Sequence, residues 1–336
     1  MHNPISLTIP PTIALAIARR LTEIWYSNKP PPRALRAVAG LYQRVARRRL
    51  QRPTAIPPCP VIVVGNLVAG GSGKTPVVAA LADALTDAGF AVSIITRGYG
   101  GSGGAAPLRV RPESPSLVVG DEALELFHRT GRPVWVCRRR AAALEAAVED
   151  GAEVVLADDG LQHTELARSF EICVIDGRRG FGNGYCLPAG PLRQPAARLE
   201  TVDMVLVKNV GDEVAPGLEG KRFRLESGEL RALRDGSPPP EPPAEIDALA
   251  GIADPEPFFE MLASSGFRPR RHALVDHQPI TAAMLDELSG PVVMTEKDAM
   301  RLPPVARMDL FVLPVRARLP ENVLQRVAEH VREFCP

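Results

Sequence analysis

Apolar positions along the chain follow two alternating rhythms. Residues 61–64 form a continuous β-branched run, the pattern of a short strand buried on both faces. After a glycine-rich turn, Val77, Val78, Leu81 and Leu85 recur at helical spacing until Gly89 stops them. The order then repeats, with a strand expected at 91–96, a helix at 121–129, a strand at 134–137 and a helix at 138–149. Strands at 154–157, 172–176 and 205–207 follow. Such alternation predicts an α/β fold with a parallel sheet covered by helices on both faces, its ligands collecting beyond the carboxyl ends of the strands. The proline-rich run 236–243 is too stiff for a sheet interior and reads as a surface linker or long loop. Beyond it comes a second αβ pattern: helix 257–265, a loop around Asp276 and His277, helix 281–289, strand 292–295 and helix 321–334. The expected division is therefore basic amphipathic helices at 1–52, a core domain at 53–222 and a smaller C-terminal α/β domain at 223–336.

The first 52 residues carry their own pattern. Ile13, Ile17, Leu21 and Ile24 share a helical face that excludes Arg19 and Glu23, and Leu35, Val38, Tyr42 and Val45 cluster opposite Arg33, Arg36, Arg44 and Arg47. Arg19 and Arg20 end the apolar run 13–17 far short of the roughly 20 residues that span a bilayer. The charge also follows the apolar run instead of preceding it, unlike a signal peptide. Helices of this kind lie in an anionic lipid interface, or they dock on the protein's own core with a solvated basic back. Trp25, Tyr26 and the local charge favour the membrane surface.

Composition sharpens that contrast. At 336 residues, 45% of them hydrophobic, the chain can bury two unequal cores, and its formal net charge is only +1. Residues 1–52 nevertheless contain ten Arg or Lys (Arg19, Arg20, Lys29, Arg33, Arg36, Arg44, Arg47, Arg48, Arg49, Arg52) against the single acid Glu23, so the partner of the basic end is local too. Aromatic residues for base stacking are few, and nucleic acid is not expected as a partner. Cys59, Cys137, Cys173, Cys186 and Cys335 are scattered, odd in number and without C-x-x-C spacing, the usage of reduced, mostly buried thiols.

The chemistry centres on VIVVGNLVAGGSGKT, residues 61–75. A strand emptying into Gly70-Gly71-Ser72-Gly73 lets successive backbone N–H groups face phosphate oxygens at the start of a helix. Lys74 is then placed for the β and γ phosphates of a nucleotide and the Thr75 hydroxyl for Mg²⁺. Val68 stands where the G-x-x-x-x-G-K-T pattern has its first glycine, so the loop is a variant. The apolar strand 154–157 delivers Asp158 and Asp159 at its carboxyl end, where a magnesium-organising acid sits in such folds, with Gln162 and His163 close behind. Asp121-Glu122 opens a helix; acids there cap and complement the dipole without further function, or Asp121 accepts the proton of an attacking hydroxyl. His277 and the segment Thr295-Glu296-Lys297-Asp298 are open in the same way, between turn or capping roles and a place in the cleft.

The set VGNLVAGGSGKTP, TRGYGG, GDEALEL, ADDGLQH, GNGYCLPAGPLRQP, VDHQPI and TEKDAMR, in this order, closely resembles the tetraacyldisaccharide 4′-kinase (lipid A 4′-kinase) family over most of the chain. The resemblance implies a peripheral P-loop kinase on the cytoplasmic face of the bacterial inner membrane. Its substrates would be ATP, with Mg²⁺, and an acylated glucosamine disaccharide 1-phosphate phosphorylated on its 4′-hydroxyl. By motif, the family's catalytic aspartate falls on Asp121 and its histidine partner on His277, while Asp158 and Asp159 match the paired acids beside Mg²⁺. Arg97, Tyr99, Asn183 and Arg193 match positions on the headgroup side. Gln194 replaces the glutamate of the family's Arg-Glu-Pro, removing one carboxylate expected near the metal, and Gln278 departs from the commoner residue after Asp-His. Two rivals remain open from the residues alone. A membrane-partitioning regulatory ATPase would carry a second lysine where this chain has Ala69, and a soluble small-molecule P-loop kinase would lack the basic helices.

Overall fold

A computed structural model describes residues 17, 20–27, 29–48, 55–209, 215, 217–234, 237–275 and 278–334. Its strands are β1 (Val61–Gly65), β2 (Val92–Thr96), β3 (Leu108–Arg109), β4 (Val134–Val136), β5 (Val154–Asp158), β6 (Phe170–Asp176) and β7 (Met204–Lys208). They continue as β8 (Lys221–Ser227), β9 (Arg231–Ala232), β10 (Glu245–Ala250), β11 (Arg268–Ala273), β12 (Val292–Thr295), β13 (Leu310–Leu313) and β14 (Val315–Arg318). The helices are α1 (Arg33–Arg48), α2 (Lys74–Asp87), α3 (Ser116–Val119), α4 (Asp121–Thr130) and α5 (Arg140–Glu149). After these come α6 (Glu256–Ser264), α7 (Ala282–Asp286), α8 (Glu296–Ala299) and α9 (Glu321–Phe334).

Among the described residues a nine-stranded sheet runs in the order β14-β8-β7-β6-β1-β5-β2-β4-β3. Its interior strands are parallel, and only the edge strands β14 and β3 pair antiparallel. The alternation of side chains explains the β-branched runs: Ile62 and Val64 of β1 pack into one core, Val61 and Val63 into the core on the opposite face. Helices α2, α4 and α9 cover the first face and α5 the second. Each fully buried aliphatic side chain of this kind contributes about 1.5–3 kcal/mol. A smaller five-stranded sheet, β11-β10-β12-β13-β9, has its own two-sided core around Phe258, Phe259 and Leu262 on one face and Leu285 and Met294 on the other.

The expected boundary at 222/223 is corrected by the sheet order. Strand β8 belongs to the large sheet, and the chain returns to it for β14 and α9, where Val323, Val327 and Val331 form a stripe on the large core. The smaller sheet is thus an insert between β8 and β14. The two crossings lie side by side, with the Gly228 N–H donating to the Pro314 carbonyl at 2.8 Å. The helix expected at 281–289 is confined to α7, opened by the Thr281 hydroxyl accepting from Met284 N–H. Strands β3, β8, β9, β10, β11, β13 and β14 are additions to the sequence reading. The segment 237–243 carries neither helix nor strand, as its prolines dictate.

Residues 20–25 are helical; of the first apolar face Ile13 lies outside the described residues, Ile17 is exposed, and Leu21 and Ile24 are half-buried. On α1 the expected cluster divides. Ala39 is buried and Leu35 half-buried against the protein, whereas Val38 and Leu41 are exposed at 53% and 63% alongside Arg33, Arg36 and Arg44. No described helix is long and apolar enough to cross a membrane. The four described cysteines, Cys59, Cys137, Cys173 and Cys186, are buried, and no disulfide joins them.

Candidate active site

β1 empties into a loop whose first limb is extended, with Val68 bridged antiparallel to Leu192. The Ala69 N–H donates to the Pro191 carbonyl at 2.8 Å, and the Arg193 N–H to the Leu67 carbonyl at 2.6 Å. A β-branched residue suits this sheet-like position, so valine replaces the usual glycine without strain. The turn itself falls at Gly70 to Gly73, where Gly73 adopts φ 85° and α2 begins directly at Lys74. Free N–H groups of the first helical turn therefore face the cradle, with no acid in that turn to neutralise them. The Ser72 hydroxyl is buried and has no protein hydrogen-bond partner among the described residues.

At the end of the neighbouring strand β5, Asp158 is buried and Asp159 turns the chain with φ 49°. Lys74 Nζ stands 3.5 Å from Asp159 Oδ1, and Arg193 Nη1 donates to both oxygens of the same carboxylate at 3.1 and 2.9 Å. Burial works to raise the Asp159 carboxyl, but the Lys74 and Arg193 charges outweigh it and hold it well below the usual range. Asp158 goes the other way: burial, reinforced by Glu122, lifts its carboxyl to about 7 against the pull of Lys74. Its Oδ1 has no hydrogen-bond partner among the described residues. A buried carboxylate oxygen left open beside the helix that starts Lys74-Thr75 fits a divalent cation. No cluster of three His, Cys, Asp or Glu is preformed among the described residues.

Asp121 begins α4 and is almost wholly buried, its Oδ1 accepting from the Glu122 N–H at 3.0 Å. The TRGYGG loop lies alongside, through Ser102 N–H to Leu117 carbonyl (2.8 Å) and Gly103 N–H to Val118 carbonyl (2.9 Å). From the smaller domain, Arg301 Nε reaches to 3.6 Å from Asp121 Oδ2, Lys297 Nζ pairs with Glu122 Oε1 at 3.0 Å, and Glu296 with Arg129 at 3.1 Å. A second seam joins Asp254 to Arg178 and Arg179 at 2.6 and 3.0 Å, and Ala253 sits beside Gly70. The insert therefore borders both the phosphate cradle and the start of α4.

Comparison with known proteins resolves what such a cleft belongs to. Residues 32–332 match the model of the family described as tetraacyldisaccharide-1-P 4′-kinase. The chain belongs to that family. A tetraacyldisaccharide 4′-kinase of Alkalilimnicola ehrlichii is 44% identical over 314 residues, covering 89% of this chain and 92% of the relative. One from Pseudomonas aeruginosa is 42% identical over 315 residues, covering 90% and 94%. The fold matches the crystal structure of LpxK from Aquifex aeolicus in complex with ATP, with TM-score 0.71, 24% identity and coverage of 89% and 97%.

In this member of the 4′-kinase family the sequence-expected residues separate into groups. Gly70, Gly71, Ser72, Gly73, Lys74, Thr75, Asp158, Asp159 and Arg193 converge on one cradle. Arg97 and Tyr99 are exposed at the carboxyl end of β2. Asn183, matched by motif to the headgroup side, donates to the carbonyls of Ile24 (3.1 Å) and Ala189 (3.0 Å), holding the N-terminal segment to its loop. Gln194 is buried and accepts from Gln162 Nε2 at 3.4 Å, so the family's missing carboxylate leaves an amide pair there. His163 is half-buried, and burial reinforced by Arg140 and Arg97 pushes its imidazole down to about 4. Asp276 and His277 lie outside the described residues. Sequence reasoning missed Glu122 as a neighbour of Asp158, and it missed Arg140. The latter is buried at the start of α5, donates to the Cys137 and Asp158 carbonyls, and is lowered to about 10 by burial. The signal for it was the Arg138-Arg139-Arg140 run directly after a strand.

Proposed function

We propose that this chain transfers the γ-phosphoryl group of ATP to the 4′-hydroxyl of a tetraacylated glucosamine disaccharide 1-phosphate. The observation that carries the reading is the cradle: a strand-turn-helix with Lys74 at its helix start, closed from the next strand by the Lys74–Asp159–Arg193 array. Within it the loop amides and Lys74 bind the polyphosphate, and Lys74 neutralises charge on the departing γ-phosphoryl group. Thr75 and Asp158 would hold Mg²⁺, which when bound shields the phosphate oxygens from the incoming alcohol. Asp159, kept ionised by its two cations, fixes the Lys74 ammonium in place. Asp121 accepts the proton of the attacking 4′-hydroxyl, and His277 completes the pair by its place in the family motif. Arg97 and Tyr99 face the headgroup.

A substrate with four acyl chains stays in its bilayer, because each methylene withdrawn from it costs about 0.8 kcal/mol. The exposed Val38 and Leu41 of α1, flanked by Arg33, Arg36 and Arg44, suit peripheral contact with an anionic surface such as the cytoplasmic face of the inner membrane. Family membership disfavours both the partitioning ATPase and the soluble kinase. The decisive experiment supplies γ-labelled ATP, Mg²⁺ and purified acylated disaccharide 1-phosphate to the full chain. Label appearing on the lipid, and absent when the 4′-hydroxyl is blocked, is the expected result; ATP hydrolysis without lipid labelling would sink the reading.

A further inference from the structure

Arg301 stands at the meeting point of the two domains. Its Nη2 donates to the Gly251 carbonyl at 3.0 Å and also binds Asp298 Oδ1, while Nη1 donates to the Gln278 carbonyl at 3.3 Å. Asp298 is fully buried and fixed in turn by the Gly251 N–H at 3.0 Å and the Thr295 hydroxyl at 2.6 Å. The guanidinium is thus locked to the frame of the smaller domain along one edge. Its remaining nitrogen, Nε, faces Asp121 Oδ2 of the larger domain at 3.6 Å. Of the three ion pairs at this seam, Arg301–Asp121 alone involves a carboxylate assigned to the chemistry; Lys297–Glu122 and Glu296–Arg129 flank it.

We propose that Arg301 is a positioning residue for Asp121, carrying the placement of the smaller domain to the catalytic carboxylate. The inference rests on the reading of Asp121 as proton acceptor. A planar guanidinium whose Nη atoms are fixed keeps its Nε and its charge at one place beside the carboxylate, which an ammonium on a flexible stem cannot do. The same side chain also donates to the Gln278 carbonyl of the smaller domain, which ties it to a second point of that frame. The base is then aimed only when the insert is seated.

Arg301→Lys tests this in the full chain, because a lysine keeps a cation for Asp298 but cannot also span to Asp121 and Gln278. With γ-labelled ATP and the acylated disaccharide 1-phosphate, Arg301→Lys is expected to lower kcat about 30-fold and leave the KM for ATP within about threefold. In an Asp121→Asn background the same substitution should cost less than about threefold, since the group it positions is gone. Arg301→Gln, run through the same cycle, serves if the lysine variant unfolds. Near-normal kcat in Arg301→Lys, or equal losses in both backgrounds, would overturn the positioning role and leave Asp121 as the base. Near-normal transfer by Asp121→Asn would overturn both.

Discussion

Arg193 grips Asp159 through a single guanidinium nitrogen lying 3.1 Å from Oδ1 and 2.9 Å from Oδ2, while its own carbonyl accepts from the Tyr42 hydroxyl at 2.9 Å. The carboxylate that fixes Lys74 is thereby tied to a residue held against α1. Arg193→Ala leaves Lys74 as the remaining cation on Asp159 and draws it toward that acid. A fall in kcat of about 10–100-fold is expected, read by steady-state transfer kinetics. Unaltered kcat would show that Asp159 needs no second cation.

Lys74→Ala should lower transfer by about 10²–10³-fold, because a preorganised charge at the transferring phosphoryl group is lost. Lys74 is half-buried at a helix start with no core role, so the melting temperature of the ligand-free protein should hold. A variant with near-normal turnover would remove the cradle from the chemistry.

His163 predicts a pH signature in stability. Its folded pKa of about 4 lies below the ordinary 6.5, so the unfolded chain takes up the proton first as pH falls. Stability is therefore fully present above about pH 6.5 and drains as pH drops toward 4. His163→Gln should flatten that limb in urea unfolding at a series of pH values. An unchanged slope would place the acid sensitivity elsewhere.

Glu171 is fully buried beneath the sheet, where it accepts from Arg198 Nη2 at 2.6 and 2.7 Å and from Arg168 Nη1 at 3.1 Å. Arg168 also donates to the Gly160 carbonyl, so this group supports the Asp158-Asp159 turn from below. Glu171→Gln strands two buried guanidinium groups, and a loss of about 3–5 kcal/mol is expected from denaturant titration. A cost under about 1 kcal/mol would mean that water reaches the pair.

On α1, Leu41→Asp puts a charge into the most exposed large apolar position among the described residues of the helix, near Arg44. Binding to vesicles containing anionic lipid should weaken at least about tenfold, with soluble folding unchanged. Equal co-sedimentation of both proteins would assign that face to solvent.

The parallel core was legible because β-branched runs such as 61–64 are buried on both faces and cannot be solvent helices. The terminal helix was equally plain from Val323, Val327 and Val331, but an apolar stripe does not say which core it will meet. That is why the domain boundary was misplaced. Strands such as Arg268–Ala273, whose exposed arginines hide any alternation, gave no apolar signal at all. In the site, Lys74, Asp158 and Asp159 were readable from strand and turn chemistry. Asn183 was assigned by motif alone, and its contacts with Ile24 depend on a segment 159 residues away. Arg301 lay in view within TEKDAMR, yet its value comes from a carboxylate on another domain, a relation that spacing cannot express.

The paired crossings at Gly228 and Pro314 also decide how this molecule can be dissected. Shortening it from the carboxyl end would strip Val323, Val327 and Val331 from the nucleotide half long before the insert was gone, and would uncover Phe170, which packs on His330 of the same helix. Splicing residue 228 directly to 314 would lift the insert out whole, because the two strands already touch there. Nucleotide affinity could then be measured on a half that still has its outer strand and its closing helix.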